Sequence, residues 1–203
     1  MKHIFLFFFL FAAIFKLDAQ VGLKAIFFQP TEQLGFVFKS AILPQIVYGK
    51  RFSDLMRWNN TLTFGKLKTR LDTFPTYAIL IDGEGTKFLP SKESISDFWY
   101  FNVKSGIDFG FIRTSKFAIY SGFNISLASS SSHSVTITSS LTKNSFSGST
   151  GYIGMGFKIG TEFYLSDKWN LILEVERTYS LSNEKVYYNF YDIGMGVKYN
   201  FKD

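Results

Sequence analysis

The chain has 203 residues, enough for one domain and short for two, and no Cys, which excludes a disulfide framework and a thiolate metal site. Its formal net charge is +6, but Lys and Arg are scattered rather than gathered into a dense run, which argues against a nucleic-acid partner. Aromatic residues make up 19% of the chain, Phe above all, yet mean hydropathy is near neutral. A soluble protein this aromatic needs a large core, whereas a membrane barrel carries its apolar residues outside.

The first residues, Met1-Lys2-His3, are basic, and positions 4–15 form an unbroken apolar run. Lys16-Leu17-Asp18-Ala19-Gln20 follows. This reads as a secretory signal peptide over 1–19, cut after Ala19, with 20–203 as the outer-membrane domain. The apolar run is short for a transmembrane helix, and no later stretch approaches the necessary length.

The mature chain reads as a succession of strands. The first is 21–29, with Val21, Leu23, Ala25 and Phe27 on one face and Gly22 and Lys24 on the other. Gln29-Pro30-Thr31-Glu32 signals a turn. A second strand is expected from about 34 to 51, with Pro44 in its middle pointing to a bulge or distortion. A third runs from Arg57 to about Arg70, with Trp58, Asn60, Leu62 and Phe64 on one face.

Residues 71–97 read as irregular, with Pro75, Pro90 and the turn Asp82-Gly83-Glu84-Gly85. The short apolar pieces 76–81 and 86–89 suggest a small hairpin rising from a barrel. The alternative makes them a further pair of membrane strands, ten in all. The fourth strand is 98–111, with Phe101, Val103, Ile107, Phe109 and Phe111 outward. The fifth is 117–127. Residues 128–150 read as a Ser/Thr-rich loop that contains His133.

The sixth strand, 151–165, and the eighth, 191–201, share an echo: Ile153-Gly154-Met155-Gly156-Phe157-Lys158 and Ile193-Gly194-Met195-Gly196-Val197-Lys198. Apolar positions outside and Gly inside suit a narrow lumen. The Gly-Met-Gly pieces lie inside alternating strands, so they do not form a phosphate loop. The seventh strand, 169–180, follows the turn Ser166-Asp167-Lys168. Short turns alternate with longer connections. The expected fold is therefore all-β, a closed eight-stranded antiparallel up-and-down transmembrane β-barrel. Trp58, Trp99 and Trp169, with Tyr100, Tyr152, Tyr179, Tyr188 and Tyr191, lie near predicted strand ends and suggest aromatic girdles.

The chemistry-bearing residues concentrate on the inward face: Lys24, Lys104, Asp108, Lys158, Glu162, Glu174, Glu176, Asp192 and Lys198. If the 166–168 turn pairs Leu165 with Trp169, Glu176 falls opposite Lys158. Opposed charges facing a narrow lumen imply an ion-pair network that plugs it. A conducting pore lined by the same groups is the alternative. Glu174 and Glu176 share a face as a catalytic carboxylate pair would, but nothing gives a substrate access. His133 sits in a Ser-rich stretch that positions no acid beside it, so a lipid-modifying enzyme finds little support. No cluster has metal-ligand spacing. Catalytic residues, cofactors and metals are all expected to be absent.

The leader ending Ala19-Gln20, the opening Val21-Gly22-Leu23-Lys24-Ala25, the hairpin within 156–174 and the final 194–201 together resemble the small outer-membrane β-barrel families, the PorT-like and OmpA-transmembrane-domain-like group. The resemblance covers nearly the whole mature chain. It implies residence in the cell outer membrane, with outer-membrane lipid around the barrel. It also implies a terminal strand whose aromatics, here Tyr199 and Phe201, are read by the barrel-assembly machinery. It carries over no catalytic residues. The expected function is a structural or interaction role at the cell envelope, with loops 71–97 and 128–150 meeting an extracellular or envelope protein partner. A PorT-like accessory of protein secretion or a small pore are the alternatives, and a soluble lipocalin-like carrier is a third. A carrier of that kind would turn its apolar face inward.

Overall fold

The computed structural model describes the backbone of residues 19–70, 74–82, 85–138, 143–181 and 189–201, and the side chains there except 32–34, 74–97, 132–147 and 150. Nine strands form one antiparallel sheet: β1 (Ala19–Pro30), β2 (Ala41–Arg51), β3 (Met56–Leu67), β4 (Phe74–Asp82), β5 (Gly85–Arg113), β6 (Phe117–Thr138), β7 (Lys143–Tyr164), β8 (Trp169–Ser180) and β9 (Phe190–Phe201). A short helix, α1 (Glu32–Val37), joins β1 to β2. Every wall strand pairs with its neighbours in sequence, except that β3 pairs with β5 from Met56↔Phe109 to Leu67↔Phe98. The first and last strands pair over their full length, from Ala19↔Phe201 to Pro30↔Phe190. The sheet therefore closes with eight strands in its wall.

The fourth strand in sequence, β4, is not in the wall. Among the described residues it pairs only with the distal part of β5, from Phe74↔Glu93 to Asp82↔Gly85. The expected hairpin is present and the ten-strand alternative is not. Two other expectations need correction. The 71–97 stretch is not an irregular excursion, because its second hairpin strand continues into the wall as β5. The described part of the 128–150 stretch, 128–138 and 143–150, is not loop: β6 and β7 pair through it, from Ile137↔Lys143 to Ala128↔Tyr152. His133 therefore lies on a strand, in register with Ser96 and Ser147. The reason is physical. Period-two hydropathy reports one buried face, not strand pairing. A Ser/Thr-rich run is polar at both parities, so it shows no alternation whether or not it is paired.

The second strand begins at Ala41, not near Leu34, since 32–37 is helical. Helix α1 lies at the loop-side mouth. Thr31 donates to the Asn189 carbonyl through both its backbone N–H and its hydroxyl, at 2.9 Å each. Beyond the helix, Lys39 N–H donates to the Lys68 carbonyl and Arg70 N–H to the Val37 carbonyl. Pro44 causes no bulge in the β1–β2 register, where it faces Ala25. The β2–β3 ladder ends at Gln45↔Thr63, so the missing donor falls where β3 pairing has already stopped.

The facing of the side chains places the barrel in lipid. Outward Leu23 is 63% exposed and inward Lys104 is 1% exposed. Outward apolar side chains form cross-strand pairs, such as Phe123 with Phe157 (centroids 5.3 Å apart) and Trp169 with Tyr199 (5.1 Å). Charges inside and apolar residues outside are the reverse of a lipocalin-like carrier. No helix among the described residues is long and apolar enough to cross a membrane.

The lumen has two layers. Towards the loops it is apolar: Ile26, Phe28, Leu43, Leu67, Phe98, Tyr100, Tyr152 and Phe190 are buried there. Phe28 stacks on Phe190 (4.8 Å) and Tyr100 (4.9 Å), and Phe38 at the end of α1 drops onto Phe98 (4.1 Å). Tyr100 and Tyr152 thus belong to the lumen rather than to a girdle. Trp99, Trp169 and Tyr179 are exposed on the outside, and Tyr188 lies outside the described residues. Towards the turns the lumen is polar and charged.

Gly196 sits opposite Lys24 on β1. A Cβ there would collide with the Leu23 carbonyl and the Lys24 Cα, both backbone atoms. Gly196→Val is expected to lower unfolding free energy in lipid vesicles by about 1–3 kcal/mol. Gly151→Ala, whose Cβ would clear the Ala128 carbonyl by an ordinary 3.8 Å, is expected to be near neutral. Urea midpoints measured side by side check both.

Candidate functional site

Period two puts alternate residues of every wall strand into the lumen, and closure brings distant strands within ion-pair reach. Five cations and five carboxylates meet there among the described residues: Lys24, Arg57, Lys104, Lys158 and Lys198 with Asp108, Glu162, Glu174, Glu176 and Asp192. All are buried. Lys104 on β5 bridges Glu176 on β8 (2.6 Å) and Asp192 on β9 (2.7 Å). Lys158 on β7 reaches Asp108 at 2.8 Å and Glu174 at 3.5 Å. Lys24 on β1 is paired with Glu174, which also accepts from the Tyr120 hydroxyl at 2.6 Å. Lys198 lies 3.8 Å from Glu162.

The register does set Lys158 opposite Glu176, as the Leu165–Trp169 turn implies. Their ion pairs nevertheless go elsewhere: Lys158 to Asp108 and Glu174, Glu176 to Lys104. Cross-strand position selects neighbours, and in a narrow barrel the far wall is as near as the next strand.

Arg57 is the residue that sequence reasoning left out of the network. Its guanidinium joins Asp108 (2.9 Å) to Glu162 (2.9 Å), donates to Gln20 Oε1 (3.0 Å), and lies 4.8 Å from the Tyr120 ring centroid. The signal was present. Arg57, Asn59, Thr61 and Thr63 form a polar run on the face opposite Leu62 and Phe64, and all four are buried. Tyr120 was also missed: its parity, opposite that of outward Ile119 and Phe123, marks it as inward, but it carries no charge to single it out.

Below the charges, Gln20, Asn170 and Asn200 form an amide layer. Gln20 Nε2 donates to Asn200 Oδ1 at 2.6 Å, and Asn200 Nδ2 to Asn170 Oδ1 at 3.2 Å. This layer is part of the lining of a polar vestibule of about 430 Å³ at the turn-side mouth. At the other end Lys104 lies 5.2 Å from the Phe190 ring, where the charged layer meets the apolar one. Ion pairs and stacked rings therefore occupy the lumen from the amide layer to α1.

Residues 45–201 match the family model described as outer membrane protein beta-barrel domain. The chain belongs to this family. Solved structures share its fold. Neisserial surface protein A aligns with a TM-score of 0.56 at 18% identity, covering 90% of this chain and 97% of that one. The outer membrane protein OprG from Pseudomonas aeruginosa gives 0.55 at 11%, covering 93% and 98%. A major outer membrane protein from Thermus thermophilus gives 0.51 at 13%, covering 90% and 99%. No curated protein matches the sequence. At these identities the shared property is the eight-stranded barrel itself, so the lumen must be read from this chain's own residues.

Within this family member, Arg57→Leu removes the cation shared by two buried carboxylates, leaving Asp108 to Lys158 and Glu162 to the more distant Lys198, and is expected to cost about 3–5 kcal/mol of folding stability. Arg113 pairs with Asp54 at 2.8 Å, but Asp54 is 89% exposed. Arg113→Leu is expected to cost at most about 1 kcal/mol. Equal urea midpoints for the two variants would show that the lumenal network does not hold the barrel.

Proposed function

We propose that this protein is an outer-membrane barrel with a sealed lumen, serving a structural or interaction role at the cell envelope without catalysis. One observation carries the reading: the five buried cations and five buried carboxylates compensate one another beneath a cap of stacked aromatic rings. A wide aqueous path would leave such groups hydrated and unpaired. Here Glu174 and Glu176 are engaged by Lys24 and Lys104, an arrangement that suits a plug rather than an acid–base pair. Interaction falls to the sheet of β4 to β7 that rises beyond the wall, where an extracellular or envelope protein partner would dock. A PorT-like secretion accessory is one form of that role.

Export follows from the expected leader over 1–19; cleavage after Ala19 leaves the β1–β9 seam to begin at Gln20↔Asn200. Short turns at 52–55, 114–116 and 165–168 then face the periplasm, and α1 and the β4–β7 sheet face outward. The terminal aromatics Tyr199 and Phe201 are outward and packed edge-to-face (5.0 Å), open to lipid and to the barrel-assembly machinery.

In planar bilayers the refolded protein should give no steady conductance above baseline; stable single-channel steps would favour the pore. The chain has no Cys, so a single Phe36→Cys should react with a membrane-impermeant maleimide on whole cells, and Asp167→Cys only after the outer membrane is permeabilised. The reverse pattern would invert the barrel. In the same cells Phe201→Ala should reduce the yield of folded, heat-modifiable barrel if it serves assembly.

A further inference from the structure

On the outer face of β3 the apolar band ends abruptly. Leu62 and Phe64 face outward, Lys66 is the next outward position on the strand, and Lys68 and Arg70 follow just beyond its end, all three cations exposed. Residues two apart lie at most about 6.6–7 Å apart, so the three cations form a short column that begins on β3 and continues past its end. A fourth, exposed Lys39, is tied to it by the Lys39 N–H to Lys68 carbonyl bond, and Phe38 bridges Thr69. Arg70 Nε donates to the Phe38 carbonyl at 3.1 Å, which fixes its stem while the rest of the guanidinium keeps its donors.

The height of this column is set by Trp99. It is the cross-strand partner of Lys66 and is 55% exposed on the lipid side. An indole in that position marks the boundary between hydrocarbon and headgroups. The cations beyond it therefore lie at headgroup level, at the loop end. Across segments 31–41, 66–70 and 97–99 there are four cations against two acids, Glu32 and Asp97. The outward positions in register with Trp99 on β6 and β7 offer Ser129, Ser131, Ser149 and Gly151 instead, and the outward cation near the loop end of β8, Arg177, is covered by the Tyr179 and Tyr191 rings. Exposed Phe36 in α1 (79%) adds an apolar contact beside the patch.

We propose that the outer face formed by Lys39, Lys66, Lys68 and Arg70 is a docking surface for the phosphate-bearing headgroup of an outer-leaflet glycolipid. Phosphate suits it because Arg offers paired N–H donors and Lys a point charge, both in a half-dehydrated layer where ion pairing is stronger than in water. Neighbouring acyl chains would lie along the outward side chains of Leu62 and Phe64. The proposal rests on the outward orientation of the loops, which the maleimide experiment tests separately.

The test is native mass spectrometry of the refolded barrel in detergent, titrated with bisphosphorylated lipid A, dephosphorylated lipid A or phosphatidylglycerol. The wild type should retain bisphosphorylated lipid A. The Lys66→Gln/Lys68→Gln/Arg70→Gln variant should bind it at least about tenfold more weakly, since each basic residue near an anionic surface contributes about fivefold. Lys116→Gln/Lys168→Gln, at the opposite mouth, should bind as the wild type does. Dephosphorylated lipid A should bind as weakly as the triple variant. Heat-modifiable gel mobility checks folding. Should the triple variant not fold, Lys68→Gln alone should weaken binding about fivefold and Lys68→Arg restore it. Undiminished binding by the variants overturns the proposal, as does equal binding of dephosphorylated lipid A. Equal binding of phosphatidylglycerol would show a generic anionic-lipid surface and overturn the assignment to a glycolipid.

Discussion

The whole structure depends on the pairing of β1 with β9. In hydrocarbon an unpaired backbone N–H or C=O costs several kcal/mol, so a sheet that spans the membrane must have no open edge. The two strands meet along all twelve residues of each, from Ala19↔Phe201 to Pro30↔Phe190. An even number of wall strands returns the chain to the mouth it started from, which makes this pairing available. β4, paired on one side only among the described residues, is tolerated because it lies beyond the rim, where water can satisfy its free edge.

Closure then dictates the interior. Eight strands enclose a space that side chains can fill. Period two sends half of every strand into it, and inward charges have nowhere to go except to one another. The glycines of β7 and β9 fit this crowding. A Cβ at Gly156 would press on Asn124 and Glu176, and at Gly160 on Tyr120 and Glu174. The charged groups could be long because these neighbours are small. Removing one partner from such a network costs more than the pair contributes, since it leaves a buried charge alone. The network is accordingly better understood as a device that fixes one arrangement of the wall than as a large net source of stability.

The outer surface follows a different logic. Its apolar band must match the hydrocarbon, and polar groups mark where the band ends. On most strands Ser, Gly or Tyr mark that end; on β3 a column of cations does. The loop-side end of the barrel is thereby asymmetric, with the cationic face on β3 and a Ser-rich sheet rising from β6 and β7. With the lumen sealed as proposed, these external surfaces would be the parts through which the protein meets other molecules.

Much of this was written in the chain. Alternation in 98–111, 151–165 and 191–201 determined which side chains face lipid, and the three short turns determined strand order and register. The Leu165–Trp169 pairing and the inward facing of nine charged residues were legible because each depends only on local period and turn length. Three things depended on the tertiary structure. Whether 85–97, 128–138 and 143–150 are strands depended on neighbours, because a Ser/Thr-rich run carries no apolar alternation. The apolar layer of Ile26, Phe28, Leu43 and Phe190 was hidden because there both faces of the strand are apolar. Which cation meets which carboxylate was decided by closure: Arg57 meets Glu162, and Lys104 meets Asp192, across a lumen that no sequence separation encodes. Local periodicity determines facing; only the closed ring determines which inward groups share the same few ångströms.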